Sequence, residues 1–360
     1  MPLCRPAGCK SGDYGGPVTQ ISAKSGIRWG RIGLFYGIAA GWAVLVGAVL
    51  YLLGQRDLTG AGTASWVVIL LALGYMPAPL VAALVVEKVD GRGFGLRRIF
   101  TRALGRQLLR MLAVTAAVVA ALMATMVGLS WVAGNLLGVS GAGRLLISPA
   151  DLVANIIASS GTSMNADQVA TLNSQVPGLW WLLLISFGTA VLVGFTINGL
   201  FAFGEEYGWR GWLADELAPL GAIRANAIIG VMWGLWHAPL ILLGYNYASY
   251  RLPGVVAMVA WAVAASFLLW RAREVTGSVL AAAVLHGAIN GFAGIFGLIL
   301  VETNPLIAAP LGAVGIAAIA LVAALFWLFT RPVSPGDQPI AAESEGSLAE
   351  SAPQLGESAA

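Results

Sequence analysis

Glu205, Glu206 and Arg210 lie in the stretch FGEEYGWRGW, residues 203–212, where an apolar run without charge from Leu179 to Phe203 gives way to polar residues. On a helix Glu206 and Arg210 sit four apart and pair on one face. Glu205 points about 100° away and is expected to stay free for another task. Two further clusters lie inside apolar runs: Trp233 and His237 in WGLWH, and His286 and Asn290 in HGAIN. The last two share a helical face. The chain has two histidines, and both fall in these runs rather than in loops. Histidine transfers protons near neutral pH and is the commonest metal ligand. Two glutamates, two histidines and an asparagine on three apolar segments therefore make a set suited to activating water. Read from the residues alone, the set also suits the proton relay of a transporter or a non-catalytic membrane scaffold. EEYGWR alone also reads as a helix end meeting lipid headgroups.

The elements that must position these residues are helices in lipid. Of 360 residues, 58% are hydrophobic and 10% charged, against about a quarter charged in soluble domains. Charge at mid-helix costs roughly 2.5–3.5 kcal/mol per residue on insertion, so ionisable groups at that depth mark a cavity, a partner or a pathway. The apolar runs do not alternate with period two, which argues against an outer-membrane barrel. The fold class expected is an all-α polytopic membrane protein, a bundle of about eight transmembrane helices over 33–53, 64–86, 111–133, 179–203, 225–243, 253–270, 278–301 and 308–329.

All but Arg56, Arg144 and Arg251 of the 20 Lys and Arg residues fall on one side of these spans. The positive-inside bias makes that side, and both termini, cytoplasmic. The net charge of +3 reflects this sorting and is no nucleic-acid signal. Residues 1–28 read as a flexible basic tail in which Cys4 and Cys9 are a free pair. Residues 29–331 form the membrane domain, with the motif core at 179–300, and 332–360 an acidic, disordered tail. The tail lacks the pattern of a signal peptide, so the first span is read as retained. No internal repeat or second soluble domain is visible.

Several local features carry expectations. Ser148 caps a helix with Pro149 at its first position, and Leu152, Val153, Ile156 and Ile157 would lay it on the membrane surface. Gly33, Gly37 and Gly41 offer a stripe for close helix packing. Pro77 and Pro79 kink the second span. The glutamates look shallower than His237. The helix of the fourth span is therefore expected to run on past Phe203, along a water-filled cavity open to the cytoplasm. Gly204, Gly208, Gly234, Gly287 and Gly291 would permit close helix approach around it.

EEYGWR resembles the EExxxR motif of the CAAX protease and bacteriocin-processing (CPBP, or Abi) family of intramembrane proteases. WGLWH resembles that family's FxxxH, with Trp233 in place of phenylalanine, and HGAIN resembles its HxxxN. The resemblance covers about residues 179–300. It implies an intramembrane endopeptidase that hydrolyses a peptide bond of a membrane-associated protein or peptide near the cytoplasmic face. By it, Glu205 is the general base on water and His237 its partner, Glu206 is held by Arg210, and His286 and Asn290 stabilise the oxyanion. A carboxylate in a poorly solvated cavity is a better base near neutrality, and donors aimed at developing charge lower the barrier by a few kcal/mol. The family is often called metalloproteases, and Glu205, His237 and His286 are the ligands for Zn²⁺ if one is present. There is no HExxH, and a metal-free glutamate mechanism stands beside it. Prenylated CAAX proteins are the eukaryotic family substrates; the Ala- and Gly-rich composition suggests a bacterial cytoplasmic membrane, where bacteriocin maturation, immunity or processing of a membrane regulator fits. Oligomeric state is not readable.

Overall fold

The computed structural model describes residues 26–58, 65–95, 99, 104–161 and 163–332. Cys4, Cys9 and the tail from residue 333 lie outside the described residues, with the expectations placed on them. In chain order the main elements are α1 (Trp29–Leu52), α2 (Ser65–Val89), α3 (Gly105–Leu136), β1 (Ala142–Leu145), α4 (Pro149–Ser160), α5 (Ala166–Gln175), α6 (Leu179–Gly194) and α7 (Ile197–Glu206). Then follow α8 (Ala222–Trp236), α9 (Arg251–Thr276), α10 (Val279–Ile299), β2 (Leu300–Thr303) and α11 (Ala313–Phe329). Among the described residues, α1, α2, α3, α9 and α10 are each long and apolar enough to cross a bilayer, and α5 with α6, bent by 62°, makes a sixth candidate. Helices α8 and α11 are apolar but shorter. The chain is an all-α polytopic membrane protein.

Three expected spans are redrawn. The run over 179–203 is two helices, broken at Phe195 and Thr196, where Thr196 leaves helical geometry at φ −123°, ψ −113°. The run over 225–243 stops as α8 at Trp236, because Pro239 has no N–H to extend the ladder. The last span begins at Ala313, not 308, since the segment before it is a turn. The proline kink in α2 is present, as a π-helical stretch over Leu71–Tyr75 followed by Ala78–Val89.

Beyond α7 the chain stays helical through a π segment, Tyr207–Leu213, then Ala214–Leu217 and the 3₁₀ turn Ala218–Leu220. It reverses at Gly221, whose φ of +77° suits a residue without a Cβ. Every residue of Tyr207–Leu213 is buried. This segment is the centre of the packing: Phe35 of α1 stacks on Trp212 at 5.0 Å and meets Trp209 edge-on at 5.3 Å. Two glycines near this segment and α8 allow close helix approach. A Cβ on Gly208 would lie 2.5 Å from Pro79 of α2, and one on Gly234 would lie 2.5 Å from Val259 of α9.

The stripe Gly33, Gly37 and Gly41 does not pack: each faces open space. Helix α1 instead turns Ile32, Phe35, Ala39, Ala43, Val46 and Leu50 inward, a face that removes more apolar area. Helix α4 is capped by Ser148, which accepts from the Asp151 N–H at 3.1 Å. It buries Leu152 and Val153, and its Asn155 donates to the Leu298 carbonyl at 2.8 Å. Its partner is thus the end of α10, beside an antiparallel pairing of β1 with β2.

The two ends of the bundle differ in charge. At one end Arg28 pairs with Asp90 at 2.5 Å and with Glu216, Arg31 reaches Asp90 at 2.8 Å, and Arg273 pairs with Asp215 at 2.5 Å. Lys88, Arg92, Arg224, Arg271 and Arg331 stand at the same helix ends. The opposite end carries Arg56, Arg144 and Arg251. At Asp90 burial opposes ionisation, but the hydrogen bond and charge of Arg28, with Arg31 and Arg92 nearby, prevail and hold the carboxyl below its usual value. A depressed folded value stabilises the fold above the unfolded carboxyl range, about 3.9, and the contribution is lost as pH falls through the folded value. Asp90→Asn should lower the thermal midpoint in detergent by a few degrees at pH 7. The gap to wild type should close as the pH is taken down through the acid range.

Candidate active site

The three motifs meet around a cavity of about 530 Å³. Helix α7 supplies Glu205, α8 supplies Trp233 and Trp236, the turn after α8 supplies His237, and α10 supplies His286 and Asn290; all six line it. Glu206 and Arg210 do not reach the cavity. They lie behind its wall, both at 0% exposure. The shallow position suspected for the glutamates is resolved by the helix: it runs on from Ile197 to Leu220, and Glu205 is itself 3% exposed.

Glu206 is held as the four-residue spacing required. Arg210 Nη1 donates to its Oε1 at 3.0 Å, and His286 Nδ1 contacts the same oxygen at 2.9 Å. A carboxylate accepts, so the His286 Nδ1 carries a proton and its Nε2 is the remaining ring nitrogen. His237 Nδ1 lies 2.9 Å from the Trp233 carbonyl. A carbonyl only accepts, so this ring too carries its proton on Nδ1, which leaves Nε2 as an acceptor.

Glu205 departs from expectation in one respect. It is not free, because the Trp233 indole N–H donates to its Oε2 at 2.8 Å. The phenylalanine usual at this place in the motif has no such donor. Trp233 also spreads its ring under the Arg210 guanidinium, 4.2 Å from centroid to Cζ, and meets His237 and His286 edge-on at 5.7 and 5.4 Å. One side chain therefore touches every other ionisable member of the set except Glu206. Glu205 and His237 are joined through it, by its indole on one side and its carbonyl on the other.

The sequence put forward Glu205, His237 and His286 as the ligands for a zinc ion. Among the described residues no group of three or more His, Cys, Asp and Glu is arranged to hold a metal ion. Glu205, His237 and His286 share the cavity, but Trp233 stands among them. Its donor occupies one oxygen of Glu205, and each histidine has Nδ1 engaged, which leaves the Nε2 atoms as the ring nitrogens available to the cavity. Asn290 lies at the exposed rim, one helical turn beyond His286.

The mouth lies where the sequence did not put it. Its rim is formed by Tyr245 and Asn246 after α8, Pro310 and Leu311 before α11, Asn290 and Ala293 late in α10, and Val68 early in α2. All belong to the end of the bundle that carries Arg56, Arg144 and Arg251. Toward the basic end the floor is closed by the buried segment Tyr207–Leu213. The expectation of a cavity open on the basic side is thus reversed, because the helix carrying the glutamates continues as a plug. Two contributors went unrecognised in sequence. Tyr75, beside the proline kink, donates to the Trp236 carbonyl at 2.5 Å, and Asn198 donates to the Gly287 carbonyl at 3.2 Å. Asn198 was legible as the one amide within an apolar run; Tyr75 carried no such signal.

Removing Arg210 alone would strand the Glu206 carboxylate in the interior, at a cost of about 3–5 kcal/mol. Arg210→Met should show this loss in a denaturant unfolding measurement. The Glu206→Gln/Arg210→Met double variant should recover part of it, since no buried charge is left unpaired.

Residues 177–292 match the family described as type II CAAX prenyl endopeptidase Rce1-like. Among curated proteins, the CAAX prenyl protease 2 of Methanococcus maripaludis is 27% identical over 114 residues, which are 29% of this chain and 41% of that protein. The chain thus spans well under half the length of this relative. The matched segment contains all three motifs and, Ala293 apart, every residue placed around the cavity from α7, α8 and α10. Over residues 177–292 the chain is thus similar to the Rce1-like CAAX prenyl endopeptidases, and EEYGWR, WGLWH and HGAIN all fall within that segment.

Proposed function

We propose that this protein is a CAAX-protease-type intramembrane endopeptidase in which Glu205 activates water. The observation that carries this reading is the division of labour between adjacent carboxylates. Glu205 faces the cavity with His237, His286 and Asn290, whereas Glu206 is turned away and neutralised by Arg210 and His286. Glu205 takes a proton from water, and the hydroxide adds to the carbonyl carbon of the scissile peptide bond. His237 accepts through Nε2 and orients that water. The tetrahedral oxyanion is met by the Asn290 amide and by His286 Nε2, which donates when the ring is doubly protonated against Glu206. Collapse breaks the C–N bond, and the proton held by Glu205 passes to the leaving amine. Trp233 fixes the Glu205 carboxylate in one rotamer throughout. No step passes through a metal.

The substrate is a membrane-associated protein or peptide that brings an extended segment to the cavity. The enzyme is placed in a cell membrane, in keeping with its multi-pass architecture. The test uses purified protein in detergent and a library of fluorogenic peptides. Glu205→Gln preserves shape and an acceptor for Trp233, so it should keep the wild-type thermal midpoint and lose cleavage by about 10²–10⁴-fold. Retained cleavage in Glu205→Gln would mean a scaffold or a different base. Cleavage should also survive incubation with 1,10-phenanthroline; loss that zinc restores would assign the chemistry to a metal.

A further inference from the structure

The direction of the cavity bears on what it cleaves. All but three of the 20 Lys and Arg residues belong to one side of the spans. In the structure Arg28, Arg31, Lys88, Arg92, Arg224, Arg271, Arg273 and Arg331 stand together at one end. Short loops with this excess are retained in the cytoplasm. The mouth is at the other end, next to Arg56, Arg144 and Arg251. Its rim residues Asn246 and Asn290 are exposed, while the floor residues Glu205 and His286 are 3% and 4% exposed. Toward the basic end, Tyr207, Trp209, Arg210 and Trp212 are at 0% exposure. Among the described residues, none that lines the cavity comes from that end.

We infer that the active-site cavity opens on the extracytoplasmic side of the membrane and receives peptide segments presented there. The inference rests on the protease reading for what enters, and on charge and geometry alone for the side. It narrows the substrate class. A polypeptide that remains in the cytoplasm, including one prenylated there at its C-terminus, does not reach Glu205. A translocated peptide, or the outer juxtamembrane segment of an anchored protein, does. The walls further select an uncharged segment. Besides Glu205, His237 and His286 the described lining is aromatic, apolar or amide, and includes Trp236, Trp261, Met126, Met258, Asn198 and Asn246. Away from Glu205, a Lys, Arg, Asp or Glu side chain entering there would be desolvated without a partner.

The test is cysteine accessibility in a Cys4→Ser/Cys9→Ser background, in intact bacterial cells and in inverted membrane vesicles. Ser249→Cys reports the exposed loop beside the mouth, Leu311→Cys the rim itself, and Ala218→Cys the exposed turn at the basic end. A membrane-impermeant maleimide should label Ser249→Cys and Leu311→Cys in intact cells, and Ala218→Cys only in inverted vesicles. The opposite labelling pattern would overturn the inference. A bulky maleimide on Leu311→Cys should lower peptide cleavage at least tenfold relative to the same variant unlabelled, and one on Ala218→Cys should leave it unchanged. A block from Ala218→Cys instead would place the entrance at the basic end. If the wild type cleaves no peptide, the protease reading fails, but the labelling still decides the side. If Leu311→Cys does not accumulate, Ser249→Cys still decides it.

Discussion

The arrangement depends on one buried carboxylate. Glu206 lies at the core of a membrane domain, and its Oε1 receives both the Arg210 guanidinium and the His286 imidazole. Without these partners a charge at that depth would not be tolerated. With them, three helical segments are tied at one point: the π segment after α7 through Arg210, α7 itself, and α10 through His286. The tie also settles the roles of the adjacent glutamates. One is consumed by structure, and the residue before it on the helix is thereby turned toward the cavity.

Trp233 joins the second half of the set to the first. Its ring faces the Arg210 cation, an arrangement favoured by the aromatic quadrupole, while its N–H fixes Glu205 and its carbonyl fixes His237. Two stretches of π-helix border this cluster, Leu71–Tyr75 on the cavity wall and Tyr207–Leu213 beneath its floor. Such turns shift the register of side chains within a continuous helix and recur at functional sites. Here the second one carries Arg210 and seats Phe35 between Trp209 and Trp212. The seal of the cavity and the hold on Glu206 are therefore built from the same seven residues.

Much of this was legible in the sequence, for physical reasons. Ionisable residues are so costly in hydrocarbon that Glu205, Glu206, Arg210, His237 and His286 stood out, and the Glu206–Arg210 pair followed from helical spacing alone. The proline kink and the Ser148 cap were likewise local. What escaped notice depended on tertiary contacts. The break at Phe195–Thr196 lies in an unbroken apolar run, and α8 stops short at a proline that a hydropathy pattern passes over. The Gly33, Gly37 and Gly41 stripe had the right spacing, yet the neighbouring face, with Phe35 and Leu50, had more apolar surface to bury. The indole bond to Glu205 was hidden because tryptophan looked like a substitute for phenylalanine of similar bulk. The position of the mouth was hidden because Tyr207–Leu213, which resembles the end of a span, is its buried continuation.

The claim that adjacent glutamates divide chemistry from structure is tested most directly by measuring cleavage rate and thermal midpoint side by side for Glu205→Gln and Glu206→Gln. The account predicts that Glu205→Gln abolishes cleavage while the midpoint stays within a degree or two of wild type, and that Glu206→Gln lowers the midpoint sharply by leaving Arg210 without its carboxylate. A fall in midpoint confined to Glu205→Gln, with cleavage surviving in that variant and lost in Glu206→Gln, would contradict it.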